Sequence, residues 1–147
     1  CMVIKMNKEK NKFLSYLHMA AAVFRVYASK SNVLETKEFI NGIIERISKY
    51  EIEVKELMQI GKEGNNLNVM QKMAVCMCKI KTCSKDDFSL CIEVLKTIDM
   101  GVYQVMNFIK ENKNYLDKEF ILCSKNVLEE YNKIAKEMKE YINHQKL

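Results

Sequence analysis

Four cysteines stand close together in the middle of the chain: Cys76-x-Cys78, then Cys83 four intervening residues on, then Cys91 after seven more. Thiolates ligate zinc or copper(I), and the nearby Met70, Met73 and Met77 could add soft sulfur. The spacing opposes a ready-made centre. Cys76 and Cys78, two apart on a helix, point to nearly opposite sides, whereas structural zinc sites use C-x2-C knuckles in turns. Cys76 and Cys91 fall on or beside apolar stripes, where a free cysteine behaves as a small hydrophobe. Core packing is therefore the expected role, and no metal centre is expected. Cys76, Cys78, Cys83 and Cys91 are the candidate ligands should thiol-based metal or redox chemistry operate, with Cys78 and Cys83 the pair expected to reach solvent.

The two histidines exclude a second chemistry. A di-iron centre in a helical bundle takes a Glu from each of two helices and a Glu-x-x-His pair from each of two others. Three residues before His18 stands Ser15, and three before His144 stands Tyr141. Neither makes the pair. The chain also lacks a Gly-rich phosphate loop, a G-x-S-x-G elbow and a zinc-protease motif. No catalytic residue and no cofactor are expected.

The elements that position these side chains are helices. The chain has no proline and four glycines among 147 residues, too little punctuation for a strand-and-turn fold. Apolar residues recur at helical spacing in Phe13, Leu14, Leu17, Ala21, Phe24 and Ala28, predicting a first helix over about 7–30 behind a tail at 1–6. Asn32 with Glu35 offers a capping box to a second helix over about 33–60, striped by Ile40, Ile43, Ile47, Tyr50, Val54 and Leu57. Gly61 and Gly64 stop it. A shorter helix over about 67–81 carries Met70, Met73 and Met77 on its apolar stripe. That row is expected to pack on the bundle, and it is the candidate interaction surface for a partner or a lipid face. Ser84 is a candidate cap, and Asp86 and Asp87 suit a helix N-terminus. A third long helix over about 87–111 is striped by Phe88, Cys91, Leu95, Ile98, Val102, Val105 and Ile109. Gly101 inside it implies close approach of another helix. The last helix, about 115–143, holds Leu116, Phe120, Cys123, Val127, Tyr131, Ile134, Met138 and Tyr141. No stripe position is a carboxylate, which predicts a dry apolar centre.

Short links join the first long helix to the second and the third to the fourth, so each pair makes an antiparallel hairpin. The long crossover at 61–86 lets the third long helix run parallel to the second. An all-α, four-long-helix bundle with a ferritin-like connection, in a single domain over 1–147, is the expected architecture, with a plain up-down five-helix array as the alternative. The stretches Met70-Gln71-Lys72-Met73-Ala74, Cys78-Lys79-Ile80-Lys81-Thr82, Asp86-Asp87 and Ile98-Asp99-Met100-Gly101-Val102 resemble small ferritin-like proteins of anaerobic Gram-positive bacteria. That resemblance implies a bundle fold and brings no established activity.

Twenty-four basic and 19 acidic residues give a net charge of +5, but lysines alternate with glutamates and Arg25 and Arg46 are the only arginines. A nucleic-acid binder concentrates its charge on one face, so no nucleic acid is expected. No run of apolar residues is long enough to span a membrane. The expectation is a soluble, cytoplasmic, non-enzymatic bundle acting as an interaction or structural module, with itself or a protein partner. A membrane-surface or envelope role is the alternative motivated by the Met/Lys helix and by Cys1. A cysteine at this position suits a lipid-anchored mature N-terminus, as it would a truncated start.

Overall fold

Among the described residues five α-helices realise these periodicities: α1 (Met2–Lys30), α2 (Leu34–Leu57), α3 (Val69–Lys81), α4 (Asp87–Asn112) and α5 (Lys118–Gln145). The computed structural model describes residues 2–58, 69–81 and 86–145, and no strand occurs among them. Cys1, Cys83, Ser84, Gly61, Gly64 and the side chain of Met70 lie outside the described residues. α1 is longer than its stripe predicts. Met2, Val3 and Ile4 are exposed yet helical, where a tail was expected. Adding a turn to an existing helix costs no new nucleus.

Caps correct the expected boundaries. The Asn32 capping box does not form: α2 starts after Val33, which is extended and makes no side-chain cap. Ser31 intervenes, its Oγ accepting the Val33 N–H at 3.2 Å and donating to Asp87 Oδ1 at 2.9 Å. α4 is capped by Asp86, whose Oδ1 accepts the Ser89 N–H at 2.7 Å. α5 starts at Lys118 because Asp117 takes the Phe120 N–H at 3.2 Å. Asp117 also pairs with Lys10 at 2.6 Å. Burial opposes ionisation of Asp117, but the Lys10 and Phe120 hydrogen bonds outweigh it and hold the carboxyl below its usual range.

Each long helix packs on two others: α1 on α2 and α4, and α5 on α2 and α4, while α3 packs on α1. Side-chain bonds give the directions. Tyr27 near the end of α1 meets Thr97 early in α4, and Glu9 near the start of α1 meets Asn112 at the end of α4. These two helices are antiparallel. Thr36 at the start of α2 meets Tyr141 near the end of α5, and Arg46 pairs with Glu130 and Glu137, so α2 and α5 are antiparallel too. Thr36 also meets Asp87, placing the starts of α2 and α4 at one end.

The two ends of the bundle differ. At one, Phe13, Phe108 and Phe120 pack ring against ring, with centroids 4.7–6.1 Å apart. At the other, a polar relay runs from the Gln145 amide to the Tyr141 hydroxyl (2.6 Å), on to Thr36 Oγ1 (2.6 Å) and into Asp87 Oδ2 (2.8 Å). Thr36 is fully buried there, so its hydroxyl needs both partners. His18, expected at the boundary of its helix, is half-buried with Nδ1 2.8 Å from Glu51 Oε1.

Candidate functional site

Between the aromatic end and the polar end the interior is not filled. A cavity of about 1080 Å³ lies along α1 and α4, with α3 over it. Ile43 and Ile47 of α2 and Ile134 of α5 form its floor, Val23 and Phe24 of α1 one wall, and Ile98 and Gly101 of α4 the other. Glu93 and Asn107, which both line it, stand fourteen residues apart on α4, or ~21 Å along the axis at ~1.5 Å per residue. The shape is a long apolar slot at the top of the size range of small-molecule sites. Small side chains at Ala20 and Ala74 leave part of this space. Its mouth is marked by lining residues that also face outward: Met77 of α3 and Met100 and Tyr103 of α4, each about two-thirds exposed.

One end of the slot is polar. The Tyr27 hydroxyl lies 2.8 Å from Thr97 Oγ1, and Thr97 Oγ1 donates to the Glu93 carbonyl at 3.0 Å. Thr97 thereby spends its proton on the backbone, so Tyr27 is the donor to Thr97. The Cys78 thiol lies within hydrogen-bonding reach of the same tyrosine, and the Glu93 carboxylate acts on it through space. Burial first, then these two neighbours, push the Tyr27 pKa well above its ordinary value, against the bond from Thr97, so the phenol stays protonated. Glu93 is 6% exposed, and Lys96 reaches its Oε1 from the solvent side at 3.7 Å. The expected carboxylate-free centre is thus corrected, because an acid is buried at its edge. Glu93 sits beside Leu90 and Val94, buried positions that widen the stripe read from sequence and that it did not include.

A second polar group stands deeper. Tyr131 of α5 is 6% exposed and lines the slot, and its hydroxyl makes no hydrogen bond among the described residues. Burial raises its pKa, so it stays a neutral donor. Its ring is held by Gly101: a Cβ there would come within 2.8 Å of Tyr131 Cε2. The close approach expected at Gly101 is this contact.

The candidate cysteines are not gathered. Cys76 is exposed, Cys78 is half-buried in the slot, and Cys91 is buried beside Asp87 and Gln145 with Sγ 3.9 Å from an oxygen of each. No group of three or more His, Cys, Asp or Glu side chains suited to a metal occurs among the described residues. Met73 and Met77 are 60% and 66% exposed, which corrects the expectation that the row packs on the bundle. α3 lies on α1 through its other side, with Val75 and Cys78 against the core. No described helix is long and apolar enough to cross a membrane.

Burial raises the Cys91 thiol to about 11, assisted by the Asp87 charge and opposed by a bond from Thr36. It raises Cys123, assisted by Glu53, to about 12. Thiolate is the reactive form, so in native protein at pH 8 iodoacetamide is expected to modify Cys76 and spare Cys91 and Cys123, as peptide mass spectrometry would read. The same shifts set the alkaline limb of stability. The unfolded thiols ionise near 9 and the folded ones two to three units higher. Their contribution is complete below pH 9 and is lost as pH climbs toward 11–12. A Cys91→Ala/Cys123→Val variant should show a flatter decline over that window.

Tyr27, Thr97, Glu93 and Tyr131 have no signature in sequence, because each reads there as an ordinary helix residue. No protein-family model matches the chain, and neither a curated protein nor a solved structure does.

Proposed function

We propose that this chain is a non-enzymatic bundle of ferritin-like topology whose interior holds a long, mostly apolar small molecule. The observation that carries this is the slot of about 1080 Å³ with a wall of aliphatic and aromatic side chains and a few converging polar groups. The slot opens to solvent, so its aliphatic wall faces water when empty, and an apolar guest would remove that surface from water. Tyr131 supports the same reading, since its hydroxyl is a donor on a residue lining the slot, where an acceptor on a bound molecule would meet it. The ferritin-like part is supported by two antiparallel hairpins with α2 and α4 starting at the same end.

The outward-facing methionines then belong to the mouth of the slot, where flexible, polarizable side chains suit passage of an apolar guest. Cys76, Cys78 and Cys91 face three different surroundings, so the described part of the cysteine group lends no support to the thiol-based alternative.

The test is titration of the neutral probe N-phenyl-1-naphthylamine, whose emission rises in apolar surroundings. Saturable binding at one site per chain is expected. Ala20→Phe, which puts a ring into the slot, should weaken it at least tenfold with helical circular dichroism retained. Probe binding that is absent, or indifferent to Ala20→Phe, would refute the proposal.

A further inference from the structure

Apolar side chains that face water ring the mouth of the slot, and the positive charge of the chain gathers beside them. Met73 and Met77 stand four residues apart on one face of α3 and are 60% and 66% exposed. On the α4 side of the mouth, Met100 and Tyr103 are 71% and 67% exposed. Single exposed apolar residues need no explanation, but a group of them marks an interaction surface.

Charge says what that surface meets. The stretch 64–85, which contains α3, carries Lys72, Lys79, Lys81 and Lys85 and no acid. The remaining 20 basic residues stand against 19 acidic ones, so this stretch holds nearly all of the net charge of +5. Lys72 and Lys79 are exposed. Seven residues apart, they share one side of α3, about a third of a turn round from the methionines. On α4, Lys96 and Lys110 outnumber Asp99, the one acid between residues 94 and 110. A helix with apolar residues on one side and lysines beside them, their stems on apolar surface and their heads in water, is built to lie in a membrane interface. Tyrosine favours the same boundary. A second copy of the chain is a poor occupant, because a two-fold contact would set lysine against lysine.

We infer that α3 and the slot mouth dock on an anionic lipid bilayer. Met73, Met77, Met100 and Tyr103 enter the acyl boundary, and Lys72 and Lys79 rest on the headgroup phosphates. The docking itself stands on the exposed patch and its charge. Its consequence rests on the ligand-slot reading: an apolar guest passes between bilayer and slot without crossing water.

The experiment is cosedimentation of the full chain with vesicles of phosphatidylcholine, alone or mixed in equal parts with phosphatidylglycerol. At low salt, binding is expected to be at least tenfold tighter on the mixed vesicles, and to weaken at ~1 M salt, where the screening length falls to ~3 Å. Lys72→Glu/Lys79→Glu should weaken it at least tenfold, and Met73→Gln/Met77→Gln at least fivefold. All four side chains are exposed, so helical circular dichroism should be retained in both variants. The chain has no tryptophan, so Tyr103→Trp places a single reporter at the mouth. Its emission should move to shorter wavelength on the mixed vesicles and be quenched by bromine atoms on the acyl chains. No binding to mixed vesicles at low salt overturns the inference. So does binding that leaves the reporter's emission unmoved, which means adsorption through another face. A dimer in light scattering that Met73→Gln/Met77→Gln dissociates also overturns it and assigns the patch to a second copy. Neither Lys72 nor Lys79 lines the slot, so their double variant should bind N-phenyl-1-naphthylamine as the wild type does. Failure of that probe on wild-type protein refutes the slot reading and leaves the vesicle result to decide the docking alone.

Discussion

Phe120→Ala is expected to lower the free energy of unfolding by about 3–5 kcal/mol, the largest loss from any single truncation in this chain. Phe120 is fully buried, and its ring contacts Phe13 at 5.7 Å and Phe108 at 6.1 Å between centroids. It stands in the first turn of α5 and meets α1 and the end of α4 at once. Truncation therefore removes apolar burial and two aromatic contacts at a junction of three helices. The neighbouring rings cannot collapse into the gap, since Phe13 and Phe108 are themselves 4.7 Å apart. Against a total of about 5–15 kcal/mol for a domain of this kind, that is a third or more of the stability. Urea unfolding should show a lower midpoint at an unchanged m-value, and Phe120→Leu should recover most of it. A change below about 1 kcal/mol would mean that the three rings do not form one packed unit.

Gly101→Val is expected to cost about 1–3 kcal/mol and to weaken probe binding at least tenfold. The added Cβ would approach Tyr131 Cε2 to 2.8 Å and Cδ2 to 3.1 Å, closer than carbon atoms tolerate. Something must yield, and with the α4 backbone fixed by its own hydrogen bonds, the ring of Tyr131 moves. The slot is the space open to it. The variant thus couples stability to binding through one side chain. Gly101→Ala carries the same clash but gains up to ~1 kcal/mol in helix propensity, so its net destabilisation is smaller. Adding Tyr131→Leu to either should restore part of the lost stability, and a double-mutant cycle measures the coupling. Additive losses would show that Gly101 and Tyr131 do not share that contact.

How legible this was in the sequence varies with the helix. Ile40, Ile43, Ile47 and Val54 of α2, and Phe120, Cys123, Val127, Ile134 and Met138 of α5, are buried as their spacing predicts. Those helices carry polar residues all along the opposite face, so one stripe stands out. α4 is apolar on more than one side, and there the stripe holds only in part: Cys91, Ile98 and Val105 are buried as their spacing predicts. Phe88 is 41% exposed, whereas Leu90, Val94 and Phe108 are buried. The same ambiguity hid Glu93, since a lone acid among apolar residues reads as the solvent face. The slot was beyond reach for a different reason. A void belongs to the way four helices are spaced, and no single helix records it. Only Gly101 left a mark, as a glycine that helix propensity does not favour.

The relay of Gln145, Tyr141, Thr36 and Asp87 joins residues 36, 87, 141 and 145, from three helices and both hairpins. Neither hairpin can make it alone, so it comes into being only when the two have docked. Bringing such distant parts of the chain together is the entropically expensive step in folding. Amide exchange around Thr36 should accordingly report assembly of the whole molecule, while amides in mid-helix report local fraying as well. Tyr141 is a natural spectroscopic witness to that late event, sitting where the last residues of the final helix lock onto the first turn of the second.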